Sequence, residues 1–416
     1  MATAWKTVRV TEEPTRARYR EVFGIAEFRV IFTAHVISML GEVVAAVAMT
    51  VLIYARTGSP ALAALTFSAA FLPYFFGGTL LSSVVDRLPA RRVLVVCNLS
   101  SALVVGAMAS LALPVWALLA LLFVLGLIAP VFSGVRAATL TDILGDGPPF
   151  ILGRSLIRLV AQVSQVAGSL TGGLVLLALS PRATLAVDAA AFATSALLLR
   201  LGTRKRPARG TSSELSLVRD SLAGLRAVLA QPRLRRLFVF GWLLPSCTAA
   251  PEALAAPYTH DIGRAAGAVG IYLAGLPAGT ALGDLWVARV ASARAQRRLV
   301  LPGALLTCLP LLAFLGKPGL AGAVALLFVA GLGNAYTPGY DQTLLAASDV
   351  RLRSRTLALQ TAGLMFSQGV GFAVWGLVAE FAAPRLVIPA AAVCGLAAVA
   401  LCYPRTARAA KSGPAR

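Results

Sequence analysis

Residues 75–94 read FFGGTLLSSVVDRLPARRVL. An apolar segment stops at Asp86-Arg87, a short basic loop carries Arg91 and Arg92, and a second apolar segment begins. A tight acidic-basic seam between two hydrophobic blocks fits a loop at a membrane face, with a helix entering the bilayer on each side.

Working outward, the same alternation fills the chain. Of 416 residues, 58% are hydrophobic and 13% charged, and mean hydropathy is +0.80. Apolar blocks near ~20 residues long suit ~30 Å of hydrocarbon. Twelve spans are expected, near 28–54, 60–85, 92–112, 114–135, 152–179, 183–200, 235–256, 265–288, 298–316, 319–346, 356–381 and 385–403. Gly- and Pro-bearing turns separate them, such as Thr57-Gly58-Ser59-Pro60 and Gly316-Lys317-Pro318-Gly319. The long polar connection, 200–236, divides the chain. The expected units are a cytoplasmic tail (1–27), a six-helix bundle (28–200), a cytoplasmic linker (201–234), a second bundle (235–403) and a cytoplasmic tail (404–416). The periodic stretch 215–229 is expected to lie as a helix on the membrane surface. No cleavable leader is expected, because the first apolar block is too long for a signal segment.

The net charge of +21 is a topology signal. With both termini cytoplasmic, 33 of the 38 Lys and Arg fall on the inner side; only Arg56, Arg182, Arg264, Lys317 and Arg385 fall outside. A charge spread over seven segments excludes a nucleic-acid patch. The five cysteines lie inside apolar blocks without a CxxC pair, so no disulfide or metal site is expected. With His35 and His260 as the two histidines, no His cluster is available for a metal. No phosphate loop, dinucleotide fingerprint or Ser/His/Asp set can be assembled, so neither enzyme nor cofactor is expected.

The halves repeat each other. Ser164-Gln165-x-x-Gly168 with Gly173-Leu174-Val175 in the fifth span matches Ser367-Gln368-x-x-Gly371 with Gly376-Leu377-Val378 in the eleventh, offset by 203. Gly126-Leu127 and Gly134 match Gly331-Leu332 and Gly339 at an offset of 205. Paired six-helix units of this kind mark a transporter built on internal repeats.

The seam at Asp86 resembles motif A of the major facilitator superfamily, in the form found in its drug and siderophore exporters. Ser82 stands where that family usually has Gly. The resemblance implies an all-α integral membrane fold of twelve helices in two pseudo-symmetric bundles. It also implies that Asp86, Arg87 and Arg91 form a cytoplasmic latch, against a loop carrying Arg351, Arg353 and Arg355. Gly168-Ser169-x-x-Gly172-Gly173 resembles the antiporter motif C, with Ser169 in place of proline, so close helix packing is expected and the kink is not. The run Pro251-Glu252-Ala253-Leu254-Ala255-Ala256-Pro257 resembles a segment of actinobacterial members; it fits either an external gate or a helix ending at Pro257.

Ionisable groups inside spans are functional candidates because each is costly in hydrocarbon. They are Glu42, Asp188, Glu252, Asp284 and Asp341; no Lys or Arg is expected deep in a span. His35, Ser38, Met39 and Glu42 share one helix face. The expected proton-coupling or substrate-binding residues are Glu42, His35, Glu252, Asp284, Gln165 and Gln368. Proton-driven efflux of a small hydrophobic or cationic compound is the expected function, by a monomer in the cytoplasmic membrane whose partners are lipid, substrate and protons. An importer by proton symport and a non-transporting receptor are the alternatives.

Overall fold

The computed structural model describes residues 19–80, 88–145, 147–206, 231–290, 292–349 and 353–411. Among them all regular structure is helical. A short α1 (Tyr19–Gly24) precedes α2 (Ala26–Thr57), α3 (Pro60–Leu80), α4 (Ala90–Ser110), α5 (Val115–Leu144), α6 (Pro148–Ala178) and α7 (Pro181–Gly202). The second half holds α8 (Pro232–Thr248), α9 (Ala250–Ala253), α10 (Ala255–Asp261), α11 (Ala268–Val290), α12 (Ala293–Arg298) and α13 (Val300–Cys308). It continues through a 3-10 turn (Leu309–Gly316) to α14 (Leu320–Gly333), α15 (Thr337–Ala347), α16 (Arg353–Val378) and α17 (Pro384–Lys411).

Each expected span is matched by a helix over its described residues. Nine of the described helices are long and apolar enough to cross a membrane, ten when the bent pair 232–253 and 255–261 counts as one. The shorter apolar helices Pro60–Tyr74 and Val300–Gly316 fill the remaining two places. Large apolar side chains cover the outside: Trp116 is 74% exposed, Leu201 76% and Leu401 70%. Such a surface suits lipid and not water.

Local chemistry sets the ends. Proline begins α3, α6, α7, α8 and α17, where its missing N–H is harmless. Ser180 caps α7 by accepting from the Ala183 N–H. Gly58, at φ 64°, turns the chain out of α2 and donates its N–H to Tyr54 O.

The internal repeat is visible in the packing. A side chain at Gly168 would press on Val43 of α2 at 2.8 Å, and one at Gly371 on Ser246 of α8 at 2.5 Å; both contacts lie within a half. Gly173 instead meets Gly267 and Gly270 at the start of α11, and Gly376 meets Ala61 and Ala64 of α3; both contacts cross between halves. The α3–α16 and α6–α11 seams are therefore made of small residues that let backbones approach closely. Ser68 Oγ donates across the first seam to Gly369 O at 2.9 Å. At the end of this seam beside the start of α3, the Glu380 carboxylate accepts from Ser59 Oγ and, at 3.0 Å, from the Ala61 N–H.

The largest buried cluster also joins the halves, bringing Val47, Ala64 and Phe67 together with Tyr258, Tyr272, Phe314 and Phe372. Phe67 stacks on Phe372 at 5.2 Å. All these contacts lie toward the turns poor in Lys and Arg, so the molecule is closed at that end.

The fourth span is longer than expected. A span near 114–135 was expected, but α5 runs to Leu144. Its final turns are held by backbone hydrogen bonds, and Gly145 N–H bonds Thr141 O. The seventh span continues past Pro257 to Asp261, with a 43° bend near Leu254. Asp86, Arg87, Arg351 and the expected surface helix at 215–229 lie outside the described residues.

Candidate functional site

A cavity of about 440 Å³ opens beside α2. Its volume is that of a site for a small organic molecule. His35, Ser38, Met39 and Glu42 all line it, as their common face requires. Arg136 enters from α5, Asp188 from α7, Asn98 from α4, Tyr74 from α3 and Gln165 from α6. The remaining wall is mainly aliphatic, aromatic and Met side chains.

The cavity is not shared equally. Among the described residues, Glu252 and Leu273 are its two lining residues from the second half; the others come from α2 to α7. The α3–α16 and α6–α11 seams bring the two halves into direct contact, and the opening lies among the helices of the first half.

Arg136 corrects the expectation that no basic residue sits deep in a span. It lines the cavity and donates to His35 Nδ1 at 2.6 Å. The acceptor role fixes the neutral histidine with its proton on Nε2, and that nitrogen has no partner. The guanidinium also lies 5.3 Å from the Phe132 ring, a cation–π contact. Its charge acts on Glu42, whose own charge acts on Asp188. Among the described residues the cavity is thus lined by Arg136, which acts on Glu42, and by the further acids Asp188 and Glu252. Asp188 had been noticed as an intramembrane acid, yet it was left out of the expected site.

The other expected residues are dispersed. Asp284 of α11 accepts from Gln162 of α6 at 3.4 Å, across the second seam. Arg158 acts electrostatically on both Asp284 and Asp341. Gln368 is half-buried on α16 and outside the cavity lining. Its neighbour Gln360 ties helices together, accepting from Tyr340 Oη at 3.0 Å and donating to Gly241 O. Arg91 bonds the carbonyl of Arg200, the end of α7 in its own half. Gly168 and Gly172 pack on α2 and Gly173 on α11, and α6 continues as a helix through Ser169. Among the described residues no group of three His, Cys, Asp or Glu could hold a metal ion.

The linker begins against the first half. Glu27 accepts from Arg206 at 2.5 and 2.8 Å and from the Arg204 N–H at 2.9 Å. The hydrogen bond to Glu27 raises the Arg206 pKa above its ordinary value.

Comparison with known proteins places this architecture. Among solved structures, a mutant form of the nucleoside transporter NupG matches with TM-score 0.74 at 16% identity, over 89% of this chain and 98% of that one. A bacterial homologue of the human lysosomal transporter Spinster, inward-facing and unoccupied, matches at 0.71 with 15% identity, over 94% and 98%. A structure concerned with substrate recognition in proton dependent oligopeptide transporters matches at 0.68 with 15% identity, over 92% and 99%. At such identities the likeness shows the fold. No curated protein matches by sequence. The model described as Major Facilitator Superfamily matches residues 31–258, more than half of the chain, and with the twelve-helix fold this makes the protein a member of that superfamily of membrane transporters.

Proposed function

We propose that the protein exports a small hydrophobic cation in exchange for protons, by alternating access. The observation that carries this reading is the cavity itself: among the described residues three acids, Glu42, Asp188 and Glu252, and a single guanidinium, Arg136, line a largely apolar wall. An organic cation supplies both the missing charge and a surface for the aromatic and Met side chains. Protons and the cation oppose each other at the cavity carboxylates, which couples the two flows. The motif C-like glycines of α6 agree with an antiporter, and closure at the outer end represents the inward-open part of the cycle. The chain works as a monomer in the cytoplasmic membrane, both termini inside, with the proton gradient as energy source and no cofactor. Asp86, Arg87 and Arg91 act as the inner latch in the opposite state.

A second reading is import of a polar solute by proton symport. Asn98, Ser101 and Gln165 favour it, since they offer hydrogen bonds to an uncharged ligand in the same cavity.

The test is expression in an efflux-deficient bacterial host, challenged with cationic dyes and antibiotics beside Glu42→Gln. Export predicts resistance that the variant loses. Sensitivity unchanged by expression, together with uptake of a labelled nucleoside or peptide, would favour the second reading.

A further inference from the structure

Glu42 and Asp188 differ in their access to water. Glu42 is exposed to the cavity, whereas Asp188 is only 2% exposed. Asp188 sits on α7 where that helix packs against α2. Its Oδ1 has no hydrogen-bond partner. The same oxygen lies against the backbone of Gly41, where a methyl group would collide with it and would come within 3.1 Å of Ala191 Cβ. Oδ1 of the carboxyl group is thus admitted by a glycine, left without a donor, and placed beside the more exposed acid of the adjacent residue.

We infer that Asp188 is the proton-binding residue of the transport cycle, while Glu42 meets the substrate cation; this rests on the export reading above. As an anion, Asp188 would hold one oxygen, Oδ1, buried and without a donor at the helix contact beside the cavity, which is costly. As an acid it carries no charge there. A cation beside Glu42 stabilises the Asp188 anion, so its O–H bond breaks and the proton passes to cavity water. When the cation leaves, the carboxylate takes a proton back from whichever side the cavity faces. The two titrations are coupled through neighbouring carboxylates.

The surrounding groups complete the circuit. From α2 come Glu42 and the neutral His35; α4 brings the Cys97 thiol and the Asn98 amide, and α6 the Gln165 amide. Arg136 and Glu252 are the other charged residues lining the cavity among the described residues. Arg136 is already engaged by His35, so Asp188 lacks a donor of its own.

The experiment is infrared spectroscopy of the purified full chain in lipid nanodiscs, titrated with ethidium as the cationic probe. The wild type should show a protonated-carboxyl band at neutral pH that ethidium removes. Asp188→Asn should lack the band. Glu42→Gln should keep it but lose its response to ethidium. Gly41→Ala, which alters no titratable group, should shift it, and this variant decides if Asp188→Asn fails to fold. A band retained in Asp188→Asn, lost in Glu42→Gln or unmoved in Gly41→Ala would overturn the assignment. In proteoliposomes, Asp188→Asn should exchange ethidium at the wild-type rate yet lose its acceleration by a proton gradient; an unchanged gradient response would equally overturn it. Absence of ethidium export by the wild type would overturn the export reading instead, and the band would still judge Asp188.

Discussion

Adding one methyl group at Gly376 or Gly173 should open the outer end. At Gly173 the new carbon would stand 2.5 Å from Gly267 O and 3.2 Å from Gly270 Cα; at Gly376 it would collide with Ala64 and stand 3.2 Å from Ala61 Cα. The Gly173 contacts are backbone, so relief requires the helices to part by about 1 Å. Overpacking of this kind costs about 1–3 kcal/mol. Because both contacts cross between halves, that penalty falls on the closed-outside state alone. The ratio of outward-open to closed molecules should rise roughly 5- to 150-fold for each substitution. Gly168 and Gly371 provide the control. Their contacts lie within one half, so Gly168→Ala and Gly371→Ala should lower thermal stability without moving the equilibrium. The assay is pulsed electron resonance between spin labels at Leu111 and Phe381, both exposed near the outer end, in a background with the five cysteines replaced. Distance distributions identical in all four variants would refute the division between seam glycines and bundle glycines. So would an opening by Gly168→Ala as large as that by Gly376→Ala.

Other consequences can be checked singly. Arg136→Ala removes a charged hydrogen bond to His35 and the contact with Phe132, and should lower stability by about 1.5–3 kcal/mol in thermal unfolding, with loss of dye export. Glu380→Gln keeps an acceptor but removes the charge at the start of α3; a few-fold gain in outward-open molecules by the same spin-label distance is expected, and no change would remove the carboxylate from the seam. A cysteine at Lys317 should react with a membrane-impermeant thiol reagent added outside intact cells; reaction only after lysis would reverse the assigned orientation. Glu27→Gln should speed proteolysis at the start of the linker, because Arg206 loses its charged partner.

Much of the architecture could be read from residues alone. The one-sided distribution of Lys and Arg, and glycines repeated at an offset of 203, required only one-dimensional information. Structure then gave that repeat a physical meaning, since Gly168 and Gly371 face partners within a half and Gly173 and Gly376 face across. The shared face of His35 and Glu42 was equally legible, because four residues on one helix follow from helical period. Arg136 was missed because a charge near the end of an apolar block reads as a loop; helix continuation to Leu144 places it in the cavity instead. Asp188 was visible as a buried acid, but its isolation depends on Gly41, which is remote in sequence. Cavity walls were illegible for a simpler reason. Leu174 and Leu177 face outward while Leu122 and Leu125 line the cavity, and residue type does not separate lipid from ligand.

The lopsided cavity has a consequence for how selectivity could be re-engineered. If nearly every group that touches cargo belongs to residues before 200, the later bundle behaves as a counterweight against which the first one swings. A chimera that keeps the first bundle and borrows its counterweight from a distant relative should inherit the cargo preference of this chain, and the donor should set mainly its turnover.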